Sequence, residues 1–124
     1  MEQETEQEGG LRDDALLMAR IAGERLAVEP VVLDLRRVAS FCDYFVICHG
    51  RSAVHLDSIV DAVLEQTRKR EVLPHHCERG RNAQWVILDF GGVVVHVFTA
   101  EARRFYNLEG LWADAEVVEL GAEP

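Results

Sequence analysis

The chain has 124 residues, 48% of them hydrophobic, which predicts one compact domain with a buried core rather than a disordered protein. Acidic residues outnumber basic ones by 22 to 13, so the net charge is -9, which argues against direct readout of nucleic acid, because lysine and arginine drive binding to phosphates. No apolar run reaches the roughly 20 residues of a membrane helix, and the acidic start is unlike a targeting segment. Three cysteines without a CxxC pair indicate reduced thiols. We therefore expect a cytoplasmic protein that does not enter a membrane.

The N-terminal part predicts an acidic tail followed by a helix. Residues 1–10 are rich in glutamate and are expected to form a disordered tail, so the single domain is expected to span residues 11–124. Asp13 or Asp14 is suited to cap a helix that runs to about Leu26, with small and apolar residues at helical spacing on its buried side.

The middle of the chain predicts two strands and a long helix. Val31–Arg36 follows Pro30 and is expected to be a short strand, and Tyr44–Gly50 is apolar or aromatic almost throughout, as in a buried strand. Ser52 is a good N-cap for a helix that reaches about Arg70. The apolar residues of this helix share one face, which is formed by Leu56, Ile59, Val60, Val63 and Leu64.

The segment Trp85–Phe98, WVILDFGGVVVHVF, predicts a β-hairpin that turns at Gly91 and Gly92, because glycine supplies the positive φ of a tight two-residue turn. One face of the hairpin then pairs Phe90 with Val93, Leu88 with Val95, and Val86 with Val97. The other face pairs Asp89 with Val94, Ile87 with His96, and Trp85 with Phe98. A hairpin with one wet face would alternate apolar and polar residues. Both faces of this hairpin are largely apolar, so both need to be covered by other parts of the protein or by a partner.

The last part of the chain predicts a polar loop, a helix and an edge strand. The loop is expected at His75–Gln84, Thr99 can cap a helix over Ala100–Tyr106, and Val117–Leu120 is the candidate edge strand. The resulting order of elements, α-β-β-α-β-β-α-β, predicts a single α/β domain in which helices pack on one mixed sheet.

A metal site at His75, His76 and Cys77 is one reading of the polar loop, with further ligands from Cys42, Cys48 or His49. Zinc ligands normally come from spaced pairs, because spacing lets two side chains converge on one ion. Three adjacent residues cannot easily do so. A plain surface loop without a metal or cofactor is therefore the preferred interpretation.

Nucleotidyl transfer is an enzyme activity that one turn of the sequence suggests. Gly50–Ser52 joins a strand to a helix N-terminus, where anions can bind, and nucleotidyltransferases use a similar glycine-serine turn. Those enzymes hold two metal ions on paired aspartates of a neighbouring strand. Here Asp57 and Asp61 lie one turn apart on a helix, and Asp34 stands alone in its strand. We therefore expect no catalytic residues.

The second hairpin face combines aromatic rings with two polar groups. Taken singly, His96 is most simply a hydrogen-bonded structural histidine, and Asp89 a carboxylate that stabilises the glycine turn. Taken together with Trp85, Ile87 and Phe98, they form a group of aromatic anchors with a few polar neighbours, as at contact surfaces. The residues favour a binding module over an enzyme.

Three segments resemble the motifs of a known family. Cys42–Ser52, CDYFVICHGRS, is similar to the DYFVI-x-x-G-x-S segment of the ribosomal silencing factor (Iojap) family. Trp85–Phe98 resembles its W-x-x-L-D-[YF]-G-D-x-V-V-H block, and Arg103–Val118 resembles its R-x-F-Y-x-L-E-x-L-W block. The segments occur in the family's order, and the match runs from about Leu16 to Leu120.

The resemblance implies a fold related topologically to nucleotidyltransferases but without their activity, usually in a homodimer. It implies a translational repressor that binds the large ribosomal subunit through its ribosomal protein L-fourteen. Bound there, such a protein blocks the joining of the small subunit and lowers translation when nutrients are scarce. An acidic protein also suits a basic ribosomal protein better than it suits ribosomal RNA.

The resemblance also assigns residues. Trp85, Leu88, Asp89 and Phe90 match the family segment that faces L-fourteen, although Leu88 and Phe90 lie on the hairpin face expected to be core. Other matched positions are candidates for further contact, for the dimer surface or for the core, namely Tyr44, His96, Arg103, Tyr106 and Trp112.

The chain departs from the family pattern at two positions. Gly92 replaces the usual Asp or Asn of the turn, which is expected to loosen it, and Cys42 replaces a common Thr. Two alternatives to silencing stay open. They are a large-subunit assembly factor that uses the same site, and a nucleotide-handling enzyme on the same scaffold.

Overall fold

One six-stranded β-sheet with helices on both faces forms the fold, and the computed structural model describes residues 2–79 and 84–121. In chain order the elements are α1 (Glu2–Glu24), β1 (Val28–Asp34), β2 (Tyr44–Gly50), α2 (Ala53–Lys69), β3 (His76–Arg79), β4 (Trp85–Asp89), β5 (Val93–Thr99), α3 (Ala100–Tyr106), α4 (Leu108–Leu111) and β6 (Glu116–Val118). The strand order across the sheet is β3-β4-β5-β2-β1-β6. Strands β2 and β5 run parallel and the other neighbouring pairs antiparallel, which confirms the predicted α/β class with a mixed sheet.

The two central elements β2 and α2 confirm their predictions. β2 covers the predicted residues, and α2 follows Ser52, whose backbone is extended and whose hydroxyl accepts a hydrogen bond from the His55 amide at 3.1 Å. The predicted apolar stripe of α2 is the face that the helix buries, apart from Leu64, which is only partly buried.

The hairpin of β4 and β5 has the predicted register, with Trp85 opposite Phe98 and Ile87 opposite His96. Gly91 has a φ of 93°, which is the positive value that a tight hairpin turn requires. The turn is also tied to β2, because the carbonyl of Gly92 accepts hydrogen bonds from the amides of Asp43 and Tyr44, both at 2.9 Å. These bonds restrain the turn that the sequence predicted to be loose.

The first helix is longer than predicted. α1 begins at Glu2, whereas the sequence predicted a disordered tail over residues 1–10 and a cap at Asp13 or Asp14. Glutamate and glutamine have high intrinsic helix propensity, which suits a helix over this part of the sequence. The helix therefore includes the acidic segment, and the start of the domain at residue 11 stays a prediction.

Strand β1 starts before Pro30 rather than after it. Pairing with β2 shifts register between Val28 and Val31, and Glu29 in this interval has a positive φ of 47°. The irregularity is a β-bulge, one of the few places where a strand accommodates a proline. Proline therefore does not end the preceding region here.

The polar segment predicted to be a loop contains a strand, and that prediction is wrong. His76–Arg79 forms β3, which pairs with β4 at one edge of the sheet, and all four of its residues are exposed. A short strand with two wet faces carries no apolar alternation. Its backbone hydrogen bonds to β4, rather than side-chain burial, define it.

The C-terminal part confirms one prediction, adds a short helix that was not predicted, and shifts the predicted edge strand. α3 begins after Thr99, whose hydroxyl accepts a hydrogen bond from the Ala102 amide at 3.2 Å, as predicted. The short helix α4, which sequence analysis does not predict, follows Asn107 in a left-handed conformation. The edge strand β6 is Glu116–Val118 rather than Val117–Leu120.

The sheet has a buried cluster on each face. Helices α1 and α2 cover the first face, to which the strands contribute Val32, Tyr44, Val46, Cys48, Val86, Leu88, Val93, Val95, Val97 and Val118. The short helices α3 and α4 lie on the second face, whose cluster comprises Leu33, Leu35, Cys42, Phe45, Ile47, Val94, Phe98, Ala102 and Leu108. Trp85, Ile87 and Trp112 on the second face stay partly exposed. The second face is the less completely covered of the two.

Candidate docking surface

The four hairpin residues that resemble the family's contact segment do not share one surface. Trp85 and Asp89 project from the second face of β4, since successive strand residues point to opposite faces. Leu88 is fully buried on the first face, and Phe90 packs against the same cluster while keeping part of its ring exposed. Leu88 therefore supports the hairpin from inside and does not form part of an exposed anchor.

Helix α3 brings two further aromatic rings next to Trp85. The ring centroids of Trp85 and Tyr106 lie 4.8 Å apart, and Phe105 meets Tyr106 edge-on at 5.0 Å. Phe105 and Tyr106 are 79% and 52% exposed. Trp85 also stacks at 4.8 Å on the fully buried ring of Phe98. Trp85, Phe105 and Tyr106, called the aromatic cluster below, thus form an exposed apolar surface that is anchored on the core.

Polar side chains border the aromatic cluster. An open groove of about 520 Å³ runs beside it and is lined by Gln84, Glu101, Ala102, Arg104, Phe105 and Tyr106. Aromatic groups at the centre with polar groups around them are the usual arrangement of a protein–protein contact surface.

His96 is a structural histidine, as its sequence context indicated. The indole Nε1–H of Trp85 donates a hydrogen bond to His96 Nδ1 at 3.1 Å, and the ring of Phe45 packs against the imidazole at a centroid distance of 4.5 Å. Burial alone lowers the pKa of His96 to about 4, so the imidazole is neutral at pH 7. His96 therefore acts beneath the surface, through Trp85, and not as a charged contact.

Asp89 stabilises the hairpin turn, as its position close to the two glycines predicted. One carboxylate oxygen accepts a hydrogen bond from the Gly91 amide at 2.8 Å. The residue is only half-buried, so part of it faces solvent at the end of β4.

Arg103 holds the two short helices against the sheet. Its guanidinium makes two hydrogen bonds to the Glu109 carboxylate, at 2.8 and 3.1 Å, and one to the Val28 carbonyl at 3.0 Å. His49 Nδ1 lies 3.0 Å from the guanidinium and must accept, because arginine has no acceptor. Burial and, next, the charge of Arg103 lower the pKa of His49, so this imidazole is neutral. Arg103 is buried, and its role is to position α3 and α4.

Trp112 and Tyr44 occupy different environments. Trp112, at the end of α4, meets Phe41 at 5.7 Å and Phe45 at 6.1 Å, and Phe41 is 61% exposed. These rings form a second, smaller apolar area on the second face. Tyr44 is fully buried on the first face, with the guanidinium of Arg36 over its ring. Tyr44 therefore belongs to the core and offers no contact.

The strand-to-helix turn of β2 and α2 satisfies its polar groups internally. The amide of Arg51 donates to His55 Nδ1 at 2.9 Å, and His55 Nε2 lies 2.8 Å from the Arg25 carbonyl. A Cβ at Gly50 would come within 2.8 Å of the Leu56 backbone nitrogen, so close packing of the turn against α2 explains this glycine. The glycine-serine turn therefore has a structural role that needs no bound phosphate.

Two of the three carboxylates weighed for nucleotidyl transfer pair with arginines. Asp34 makes a two-point ion pair with Arg36, at 2.8 and 3.0 Å, and hydrogen bonds from Arg36 lower its pKa. Asp57 pairs with Arg79 of β3 at 2.6 Å, and Asp61 is exposed on α2. They do not converge on one point.

The residues weighed for metal binding are separated by strand geometry. His76 and Cys77 are consecutive in β3, so their side chains point to opposite faces of the sheet. Among the side chains that the structure describes, in residues 10–79 and 84–121, no group of three or more His, Cys, Asp or Glu is arranged to hold a metal ion. Across the same residues, no helix is long and apolar enough to cross a membrane.

A small α/β domain with an exposed aromatic surface is typical of a protein that binds another macromolecule. The sequence model of the family described as "Ribosomal silencing factor during starvation" matches residues 10–124. A relative named ribosomal silencing factor RsfS, from Halalkalibacterium halodurans, is 35% identical over 104 residues, which are 84% of this chain and 89% of that protein. The chain belongs to the ribosomal silencing factor family, as its three motifs indicated.

Two further comparisons extend this result. A protein of Mus musculus named "Mitochondrial assembly of ribosomal large subunit protein 1" is 28% identical over 121 residues, which cover 92% of this chain and 53% of that protein. A solved structure of a Chromobacterium violaceum protein superposes with a TM-score of 0.79 at 22% identity, covering 92% of this chain and 89% of that one. The second similarity concerns the fold alone.

Proposed function

We propose that the protein is a cytoplasmic translational repressor that binds the large ribosomal subunit at ribosomal protein L-fourteen. Bound there, it sterically prevents the small subunit from joining, chiefly under nutrient limitation. It acts by binding and not as an enzyme. Family membership supports the ribosomal role. The observation that carries the docking site is the aromatic cluster, where Trp85 and Tyr106 stand in contact on the less covered face of the sheet.

The aromatic cluster suits an anchor for a protein partner. Buried aromatic side chains dominate the binding energy of protein interfaces when a partner covers them. Phe105 and Tyr106 leave large ring areas exposed in the free protein, and Trp85 rests on the rigid core through Phe98. Asp89, half-buried at the end of the same strand, adds a negative charge at the rim for a basic partner.

The experiment is a subunit-joining assay on sucrose gradients, in which protein is added to large subunits before small subunits. Trp85→Ala and Tyr106→Ala should each weaken binding by about 2 kcal/mol or more, roughly thirtyfold, and restore joining. Val54→Ala is the matched control, because Val54 is 80% exposed on α2, away from the aromatic cluster.

Each variant must first show the far-ultraviolet circular dichroism and melting behaviour of a folded protein. If both folded cluster variants block joining as well as wild type, the aromatic cluster is not the docking surface. If wild type itself leaves joining unaffected, the silencing function is wrong for this protein.

We also propose that the protein forms a homodimer in solution. The second face keeps two apolar areas partly exposed, the aromatic cluster and the area around Phe41 and Trp112, and one chain can use one for the ribosome and the other for a second copy. Light scattering at tens of micromolar should give the mass of two chains. A single-chain mass over that concentration range would contradict the dimer.

Assembly of the large subunit is a second candidate function, favoured by the name of the mouse relative. It would use the same surface. Cells without the protein should then accumulate incomplete large subunits on gradients, whereas a silencing factor should leave large-subunit maturation intact and change only the fraction of joined ribosomes.

A further inference from the structure

Packing alone leaves the Trp85 ring more than one orientation. The second side-chain torsion of tryptophan has a broad, roughly two-fold preference, so this torsion alone does not fix which edge of the indole faces the core. In the structure Nε1–H of Trp85 points inward and donates to Nδ1 of His96 at 3.1 Å. That hydrogen bond distinguishes one orientation from the other.

The register of the hairpin puts the acceptor within reach. Trp85 lies opposite Phe98 and His96 lies opposite Ile87, so Trp85 and His96 are diagonal neighbours on the same face of the two strands. Long aromatic side chains can bridge this diagonal. His96 is only 5% exposed and packs in a T-shaped arrangement with Phe45, so the acceptor is held between the strand and a neighbouring ring.

The chemistry of the buried imidazole points to the same nitrogen. Because Nδ1 accepts, the proton of the neutral ring is on Nε2, which has no hydrogen-bond partner among the described residues. An unpaired buried donor costs folding free energy, and leucine at this position would avoid that cost. What histidine contributes here, and leucine cannot, is the acceptor for Trp85.

We propose that His96 is a positioning residue, which holds the Trp85 indole in the orientation that docks onto the partner; this inference rests on the proposed function. With its N–H satisfied inside the protein, Trp85 offers ring carbons beside Tyr106 to the outside. The partner surface that covers the cluster is therefore apolar at this point, without a required acceptor for the indole.

The test compares His96→Leu, which removes the acceptor, with His96→Asn, whose amide oxygen can stand near the position of Nδ1. The chain has two tryptophans, so Trp112→Phe assigns the two indole N–H signals in a nitrogen-15 spectrum. We expect the Trp85 indole N–H to exchange slowly with solvent in wild type and His96→Asn, and at least about tenfold faster in His96→Leu, since one buried hydrogen bond is lost.

The same variants are then titrated against isolated large subunits. His96→Leu should bind roughly five- to tenfold more weakly than wild type, as expected for losing the ordering effect of one hydrogen bond, and His96→Asn should bind within about twofold. An unchanged indole N–H in folded His96→Leu would overturn the positioning role. A released indole with unchanged large-subunit binding would show that docking does not use this orientation.

Wild type supplies a measurement that does not depend on any variant folding. Its Trp85 indole N–H must be protected from exchange, and an unprotected signal would overturn the hydrogen bond itself. This arm uses no ribosomes, so failure of wild type to bind large subunits would count against the docking function while leaving the hydrogen bond established.

Discussion

Several residues of the family motifs are explained by hydrogen bonds and ion pairs within this chain. Arg103 and Glu109 form a partly buried ion pair that joins α3 to α4, and Asp89 accepts from the amide of Gly91 in the turn that follows it. Trp85 and His96, eleven positions apart, meet as donor and acceptor respectively. At the scale of single residues, motif membership therefore does not by itself mark a contact residue, and exposure is needed to separate structural partners from candidate contacts.

Burial of His96 predicts a loss of stability in mild acid. The unfolded chain protonates this histidine near pH 6.5, whereas the folded chain does so only near pH 4, so unfolding takes up a proton between these values. The free energy of unfolding should therefore fall as pH falls from about 6.5, by up to about 3 kcal/mol at pH 4. Urea unfolding at pH 7, 5.5 and 4 measures it.

The comparison with His96→Asn isolates this effect, because the lowered pKa of His49 acts in the same direction in both proteins. The fall in the free energy of unfolding between pH 7 and 4 should be smaller in His96→Asn, and the difference from wild type should be most of the roughly 3 kcal/mol predicted for His96. Equal drops in the two proteins would contradict a neutral, buried His96.

At the scale of elements, prediction from sequence succeeded where side chains bury one face or cap an end. β2, α2, α3 and the hairpin carry apolar periodicity, cap residues or a glycine turn, and the structure has them as predicted. β3 is exposed on both faces and is held by backbone pairing, which leaves no periodic signal.

The candidate site divides in the same way. Trp85 was identified from its motif and from the apolar second face of the hairpin. Strand alternation already predicts that Leu88 faces away from Trp85, and the structure buries it there. That Tyr106 stands against Trp85 follows from how α3 packs on the sheet, and such tertiary placement leaves no mark in a local pattern. The four-residue anchor came from the family resemblance and mixed both faces.

Two glycine substitutions test the elements in opposite directions. Gly10 lies within α1 with open space around an added Cβ, so Gly10→Ala should stabilise the protein by roughly 0.5–1 kcal/mol.

Gly50→Ala would push a methyl group against the backbone of Leu56 and should destabilise the protein by about 1–3 kcal/mol. Urea unfolding of both variants gives the two values. No effect of Gly10→Ala would favour the disordered tail over an α1 that begins at Glu2.

At the scale of the whole molecule, the protein combines a net charge of -9 with an exposed aromatic cluster. Negative charge disfavours approach to the phosphates that cover most of a ribosomal subunit, and favours a basic protein surface among them. In the proposed docking mode, the charge guides the molecule to a protein partner and the rings supply the affinity once contact is made.

This division predicts a shallow salt dependence of large-subunit binding at constant Mg²⁺. A protein held by 6–10 phosphate contacts loses about 10³–10⁵ in affinity between 50 and 200 mM salt, because each contact releases counterions. Docking through apolar rings with exposed charges at the rim should lose less than about tenfold over that range, since salt screens only the charges. Trp85→Ala should weaken binding by the same factor at both salt concentrations, because an apolar contact is not screened. A thousandfold loss for wild type would instead mean that this acidic protein grips ribosomal RNA, and that the aromatic cluster is not what holds it on the subunit.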